Sequence, residues 1–367
     1  MAKVQRLLSL SLRGFRNLAP CVFEPGPAFN VIYGDNGQGK TNLLEAIDYL
    51  ARLSSFRGAR AEELIAHEAA QAEIIAKLKA EPLPREHRMV VPRSGTRRVA
   101  VDGKRPRSRA SYQLDQQVVL FHAGDLTLTT GGPDRRRAFL DRMLEQFDSS
   151  YASALATYDK ALRSRNRLLK AERPDKRAIT AYDELLASSG TVIAMARGRL
   201  VQELAPRITQ RFAEISDQGL ALTVAYQPRV EPSVEALRNA LAQSLSKDVA
   251  RGFTAEGPHS DDVVVELAQT RAKRFASQGQ HRAIVLALKI AELEELATRV
   301  GRVPILLLDD VSSELDRTRN QHLFRLLSRL GGQVFLTTTH PEYILLKEQR
   351  TDFLVERGNV QQVVKLP

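Results

Sequence analysis

Hydrophobic and polar positions change period several times along this chain, and each change predicts a different element. Leu8, Leu10 and Leu12 alternate with polar neighbours in "RLLSLSLR", the two-residue period of a half-buried strand. "CVFEPG" and "FNVIY" extend this strand-rich stretch over residues 4 to 33, and it stops at Gly34. "TNLLEAIDYLARL", residues 41 to 53, follows at helical spacing. From 150 to 216 the helical period dominates. Tyr151, Leu155, Tyr158, Leu162 and Leu169 keep one face through a first helix, "ERPDKR" breaks it, and Leu200, Leu204, Ile208, Phe212 and Ile215 keep one face through a second. "SSG" at 188 to 190 marks a place where the second run can split, and Pro206 a place where it kinks. "VVVEL", "VPILLLDD" and "GGQVFLTTTH" return to strands, the last two apolar enough to lie centrally in a parallel sheet. This order predicts an α/β unit interrupted by an antiparallel helical arm, with boundaries at 1–130, 131–256 and 257–367.

Composition narrows the class. Lysine plus arginine is 54 against 43 for aspartate plus glutamate, a formal charge of +11 with a pI near 9.9, and that balance favours a polyanionic partner such as nucleic acid or an anionic membrane surface. Cys21 is the only cysteine, which excludes an intrachain disulfide and a multi-thiolate zinc site and suits a reducing compartment. The opening "MAKVQRLLSLSLRGF" is interrupted by Arg13 before a secretory core could form. No apolar run reaches the roughly 20 residues needed to span a bilayer. The expected location is the cytoplasm, with no membrane partner.

Two motifs carry chemistry. "GDNGQGKT", residues 34 to 41, fits G-x-x-x-x-G-K-[ST] and lies between a predicted strand and a predicted helix. Gly34, Asp35, Asn36, Gly37, Gln38 and Gly39 would curl so that backbone N–H groups and the helix N-terminus face phosphate oxygens. Lys40 would reach the β and γ phosphates and Thr41 would ligate Mg²⁺. An N-K-x-D motif for guanine is absent, so ATP is the expected nucleotide. "ILLLDD", residues 305 to 310, is an apolar strand ending in two carboxylates: Asp309 is placed to hold Mg²⁺, and Asp310 to orient or deprotonate the attacking water. A further strand delivers His340 at its end, within reach of a γ-phosphate, since α/β sheets bind ligands beyond the carboxyl ends of their strands.

In order, the phosphate loop, "SQGQ" (277 to 280), "LLLDD", "SSELD" and the strand-end histidine resemble the head of an ABC-type ATPase, with "SQGQ" as a degenerate signature. Lys40 and Asp309 are 269 positions apart, and a helical insertion fills the gap, as in the SMC-like repair members of that class. "GFRNL" (14 to 18), "GDNGQGKTNLLEAI" (34 to 47), "GGPDRRRAFLD" (131 to 141), "GPHSDD" (257 to 262) and "LLLDDVSSELD" together resemble the RecF family of bacterial recombination mediators over essentially the whole chain. The resemblance implies an α/β fold with an ABC-type P-loop ATPase head and an inserted helical arm. It also implies weak, DNA-stimulated ATP hydrolysis, an ATP-dependent homodimer, and work with RecO and RecR, indirectly with RecA, at gaps and stalled forks in support of the SOS response. By position, Ser277, Gly279 and Gln280 form the signature, Asp316 belongs to the loop between protomers and His340 is the switch histidine. The chain departs from the family at Ser260, where an arginine is expected, and at Ala123 and Gly124, where a Pro-Glu pair is expected; the glutamine-loop role in "FHAGDL" is unassigned. Most ABC-type ATPases have glutamate at the place of Asp310. A carboxylate withdrawn by about 1 Å can cost on the order of 10²-fold in rate, so slow hydrolysis is expected.

Phosphate contacts need positive surface rather than a reading helix. Residues 85 to 109 hold nine basic residues against Glu86 and Asp102, with an Asp-Gly hairpin turn at 102 to 103. Arg97, Arg98, Lys104, Arg105 and Arg107 there, Arg135, Arg136 and Arg137 early in a predicted helix, and Lys160, Arg163, Arg165 and Arg167 on the arm are the DNA candidates. The competing reading of each cluster is solvated surface or an edge guarded by charge. Two other function classes share the phosphate loop. A transporter nucleotide-binding subunit would need a membrane-coupling lobe and no arm, and a P-loop small-molecule kinase would leave "SQGQ" and His340 without a role.

Overall fold

In this computed structural model the described residues are 3–80, 83–107, 111–112, 116–216, 219–310, 317–344, 346 and 349–363. The chain divides into two compact units, Met1–Asp125 with Glu292–Pro367, and Leu126–Ala291. The second unit therefore takes in residues 257–291, which the sequence reading assigned to the head. The cause is a strand pairing: Asp262–Leu267 runs antiparallel to Leu222–Gln227, from Asp262 opposite Gln227 to Leu267 opposite Leu222.

The first unit has two large sheets and a two-stranded parallel pair, Lys3–Val4 with Arg302–Val303. One large sheet has six strands in the order Asn359–Val363, Arg350–Glu356, Phe29–Tyr33, Val334–Thr338, Ile305–Asp309 and Val118–Phe121. Its last five strands are parallel, and Phe29–Tyr33, Val334–Thr338 and Ile305–Asp309 are almost wholly buried runs, as a sheet covered on both faces requires. The other sheet is antiparallel, in the order Cys21–Phe23, Leu7–Arg13, Gln71–Leu78, Arg85–Pro92 and Arg98–Val101, and buries alternate residues. Helix Lys40–Arg52 contributes Leu43, Leu44, Ile47 and Leu50 to a core that also holds Leu10 and Ile74 from one sheet and Ile32, Leu307 and Phe335 from the other. Each such aliphatic side chain stabilises the fold by about 1.5–3 kcal/mol on burial. Leu53, with φ 59°, ends the helix in the left-handed region and returns its N–H to the Tyr49 carbonyl. No helix among the described residues is long and apolar enough to cross a membrane.

The second unit centres on helices Ser149–Leu169 and Asp183–Ser216, with Pro133–Glu145, Val234–Arg251 and a three-stranded sheet around them. The two long helices are antiparallel. Tyr151 meets Arg197, Tyr158 lies against Gly190 and Arg165 bonds Asp183, so facing residues step by one heptad in opposite directions. The split expected at 188 to 190 does not occur. Ser189 and Thr191 donate to the carbonyls of Leu185 and Ala187, within the helix itself, and Gly190 lets Tyr158 close in, since a Cβ there would stand 3.1 Å from its ring. Pro206 lies inside the continuous helix. Arg165 is fully buried, bonded to Asp183, Asp248 and Thr254, and holds this unit together instead of facing a phosphate.

Candidate nucleotide site

Parallel strands end on the same side of a sheet, and that rim carries the chemistry. Phe121 is in register with Leu308, Asp309 with Thr337, and Thr338 with Tyr33, so the residues that follow or end those strands, His122, Asp309, Asp310, His340 and Gly34, lie along one edge. The loop after Tyr33 is kept open by glycine. Gly34, Gly37 and Gly39 have φ of 148°, 79° and 119°, and a Cβ on Gly34 would sit 2.2 Å from the Val355 carbonyl oxygen.

Within the loop, carbonyls are turned away and paired. The Lys40 ammonium donates to the carbonyls of Gly34 at 2.6 Å and Asp35 at 2.8 Å. Asn17 Nδ2 donates to the Gly37 carbonyl at 3.1 Å. Burial lowers the Lys40 pKa, and the carboxylates of Asp310, Asp309 and Asp35 oppose that shift. Behind the loop, Glu45 is fully buried and accepts two hydrogen bonds from Arg16 at 3.0 Å each and one from Ser55 at 2.6 Å. Arg57 stands 3.7 Å from the same carboxylate.

Asp309 meets the phosphate loop directly. The Thr41 hydroxyl donates to Asp309 Oδ1 at 2.8 Å, and the Thr337 hydroxyl donates to the same oxygen at 2.8 Å. Thr337 Oγ1 in turn accepts the Asp310 N–H at 2.9 Å, so one hydroxyl sets the relative position of both acidic residues. Asp310 has φ 56°, which ends the strand by turning the chain sharply. The residues fit the groups they imply. A lysine over a glycine-lined loop at a helix N-terminus suits a nucleoside triphosphate, and one hydroxyl with one carboxylate suits Mg²⁺, which keeps several waters and takes phosphate oxygens as further ligands.

His340 follows Val334–Thr338. Its N–H donates to Thr338 Oγ1 at 3.0 Å, its Nδ1 is 3.1 Å from Glu342 Oε1, and 57% of its side chain is exposed. Asp316, and all of "VSSELD", lies outside the described residues. His122, which the sequence reading passed over, stands at the end of Val118–Phe121 within "FHAGDL". Its Nδ1 accepts the Gly124 N–H at 3.1 Å, and its ring lies 5.0 Å from that of Phe56. Thr337 and Glu45 were missed too. The available signals were threonines closing an otherwise apolar strand and a glutamate on the buried face of a helix.

The "SQGQ" segment lies in the second unit. The helix begins at Gln278. Ser277 caps it: its hydroxyl accepts the Gln280 N–H at 3.3 Å, and Gln280 Oε1 accepts the Ser277 N–H at 2.8 Å, a reciprocal capping box. Gly279 lies in the first turn, and the Ser277 side is exposed.

The basic candidates separate into two sets. Arg97 donates to the Leu53 carbonyl and to Tyr49 Oη, its guanidinium 5.8 Å from the Tyr49 ring centre. Arg136 forks onto Asp262 at 2.8 and 3.1 Å, and Arg137 donates to the Asp261 carbonyl at 2.6 Å, its pKa lowered by burial and by Arg197. Those three guanidiniums are engaged with their own chain, which corrects the expectation that they face DNA. Arg98, Lys104, Arg105, Arg107 and Arg135 are exposed, as are Lys160, Arg163 and Arg167. The Asp-Gly turn presents Lys104: Val101 and Lys104 exchange backbone hydrogen bonds at 2.8 and 2.9 Å, with Asp102 and Gly103 at φ 50° and 74°.

The RecF/RecN/SMC N terminal domain family matches residues 6–361. "DNA replication and repair protein RecF" of Myxococcus xanthus is 42% identical over 345 residues, covering 91% of this chain and 90% of that protein. The protein of the same description from Geobacter sp. (strain M21) is 36% identical over 365 residues, 97% and 99% of the two chains. The solved structure of the recombination mediator protein RecF with ATP, in the RecFOR pathway, is similar with a TM-score of 0.90 at 30% identity, covering 99% of both chains. An Smc head domain with an extended coiled coil from Pyrococcus furiosus, at TM-score 0.59 and 17% identity, shares the fold.

Proposed function

This chain belongs to the RecF/RecN/SMC N-terminal-domain family and, within it, to the RecF DNA replication and repair proteins, and from that premise we propose that it is an ATP-switched, DNA-binding recombination mediator. ATP holds two copies head to head on DNA, slow DNA-stimulated hydrolysis releases them, and the ATP-bound dimer works with RecO and RecR to load RecA at gaps and stalled forks, supporting SOS induction. The cytoplasm is its place of work. The observation that carries the reading is the chain Thr41–Asp309–Thr337–Asp310 beside the carbonyl-cradled Lys40.

In that reading the loop amides and Lys40 bind the phosphates, Thr41 and Asp309 hold Mg²⁺, which would neutralise charge on the transferred phosphoryl group, and Asp310 takes a proton from the attacking water. His340 orients at the γ-phosphate end. The capped helix at Ser277 meets the γ-phosphate bound by the other copy, with its positive N-terminal end and its hydroxyl. Asp316 lies between the copies. A transporter subunit is not favoured, because the full-length likeness is to RecF proteins, in both arm and head.

Mixing two inactive variants tests the composite site. Lys40→Ala and Ser277→Arg proteins each lack one half of every site, but a mixed dimer keeps one site with both halves intact. Random pairing in a two-fold dimer should restore roughly a quarter of the parent ATPase rate. No recovery, with both proteins folded by circular dichroism, would count against the head-to-head dimer.

The exposed cations on the hairpin supply DNA contacts. Replacing Lys104 and Arg105 together with glutamine is expected to flatten the plot of log affinity for duplex DNA against log salt by about 0.9 per lost phosphate contact, without changing sequence preference. Arg136→Gln should instead lower the melting temperature. An unchanged salt slope in the double variant would remove the hairpin from the DNA surface.

A further inference from the structure

The phosphate loop is held from outside by two segments remote in sequence. Strands Arg350–Glu356 and Asn359–Val363 are joined by the two-residue turn Arg357–Gly358, with Glu356 opposite Asn359 and φ of 50° and 81° at the turn residues. The Gly358 N–H donates to the Gln38 carbonyl at 3.0 Å, and the Arg357 N–H donates to Gln38 Oε1 at 2.6 Å. On its other side the Gly358 carbonyl accepts the Ala19 N–H at 3.0 Å. The second segment begins at Arg16, itself at φ 52°, and brings Asn17 to the Gly37 carbonyl at 3.1 Å, while Asn17 Oδ1 accepts from Asn42 at 2.7 Å. There is no spare room between these parts. A Cβ on Gly358 would lie 2.1 Å from the Asn17 carbonyl oxygen, and one on Gly39 would lie 2.9 Å from Leu18 and 3.1 Å from Asn17 Oδ1.

A peptide group is planar, so an N–H is aimed by fixing the carbonyl to which it is joined. Each carbonyl bonded outward, at Gly37 by Asn17 and at Gln38 by Gly358, turns the following amide, that of Gln38 or Gly39, toward the opposite side. The backbone donors of the loop are thereby aimed before any anion arrives, and pre-aimed donors bind more tightly because less ordering is left to the binding step. Arg357 fits this account: a non-glycine residue held at positive φ persists where its surroundings over-determine it, and here both turn residues bond the loop.

We infer that the Arg357–Gly358 turn, together with Asn17, is a clamp that positions the phosphate loop for the nucleotide. This role rests on the ATP reading above and adds to it a dependence of nucleotide affinity on the far C-terminal hairpin. Both are positioning groups; neither is placed to touch the reacting atoms.

The test compares Gly358→Ala with Gly331→Ala and adds Asn17→Ala. Gly331 also has positive φ, 68°, but nothing within 4 Å, so its alanine variant reports backbone strain without a clash. ATP affinity is measured by titration, and amide hydrogen exchange of residues 36–40 is followed without nucleotide. Gly358→Ala is expected to weaken ATP binding on the order of tenfold or more and to speed loop exchange, with Gly331→Ala unchanged in both. Asn17→Ala, which adds no bulk, should shift both in the same direction, and it decides the matter if Gly358→Ala does not fold. Parent-like exchange in the loop of the folded variants overturns the clamp. Failure of the parent itself to bind ATP would overturn the proposed function, while the nucleotide-free exchange comparison still decides the clamp.

Discussion

Lys40→Met should abolish ATP-dependent stabilisation while leaving the nucleotide-free protein at least as stable as the parent. Lys40 is buried as a residue, and desolvation holds its pKa below the ordinary lysine value. A lysine whose folded pKa is lowered costs stability whenever it is charged, below the folded pKa, and that cost fades as pH rises toward the unfolded value. Removing the charge at neutral pH therefore relieves a cost, although the Gly34 and Asp35 carbonyls lose their donor. ATP binding has no such offset. Each charge-assisted hydrogen bond to phosphate contributes about 1.5–3 kcal/mol, so losing two is expected to weaken binding on the order of 10²- to 10⁴-fold. Calorimetric melting with and without ATP reads both effects. If the methionine variant still gains parent-like stabilisation from ATP, Lys40 is not the phosphate ligand.

Changing Asp310 should separate binding from turnover. Its backbone is anchored from behind, since Thr337 Oγ1 accepts its N–H and also donates to Asp309. Asp310→Asn retains the shape and removes the carboxylate proposed as the base. A loss of about 10²- to 10⁴-fold in hydrolysis is expected, with ATP affinity near the parent's and a longer-lived ATP-bound dimer. Asp310→Glu extends the carboxylate by one methylene toward the reach common in ABC-type ATPases, and DNA-stimulated turnover should rise. Single-turnover kinetics would separate chemistry from release. Unchanged turnover with glutamate would show that side-chain length at this position does not limit hydrolysis.

The head was legible because its signals are local. The alternation at Leu10–Leu12, the apolar runs at Ile305–Leu308 and Val334–Leu336, and the glycine spacing of 34 to 39 each reflect a nearest-neighbour constraint, and each lies where the pattern put it; Leu8 does not, because a register shift between Leu7 and Ser9 buries Leu7 and leaves Leu8 exposed. What escaped was non-local. Nothing near Arg136 or Arg137 announces Asp262 and Asp261, more than a hundred positions on, so cations needed inside the fold read as DNA surface. "VVVEL" declares a strand but not its partner, Leu222–Gln227, and the domain boundary moved with that pairing. The serines and glycine at 188 to 190 mark a break in a solitary helix, yet facing Tyr158 the small residue is what permits close packing.

The seven-residue stepping of Tyr151, Tyr158 and Arg165 against Arg197, Gly190 and Asp183 makes the arm a ruler with fixed graduations. Inserting three or four residues in one helix would rotate Arg165 off its buried partners Asp183 and Asp248 and strand a charge in the interior. Adding a heptad to each helix together would preserve every facing pair. Length in this arm can therefore change only in matched blocks of seven, the same increment by which a short arm would be extended into a long coiled coil.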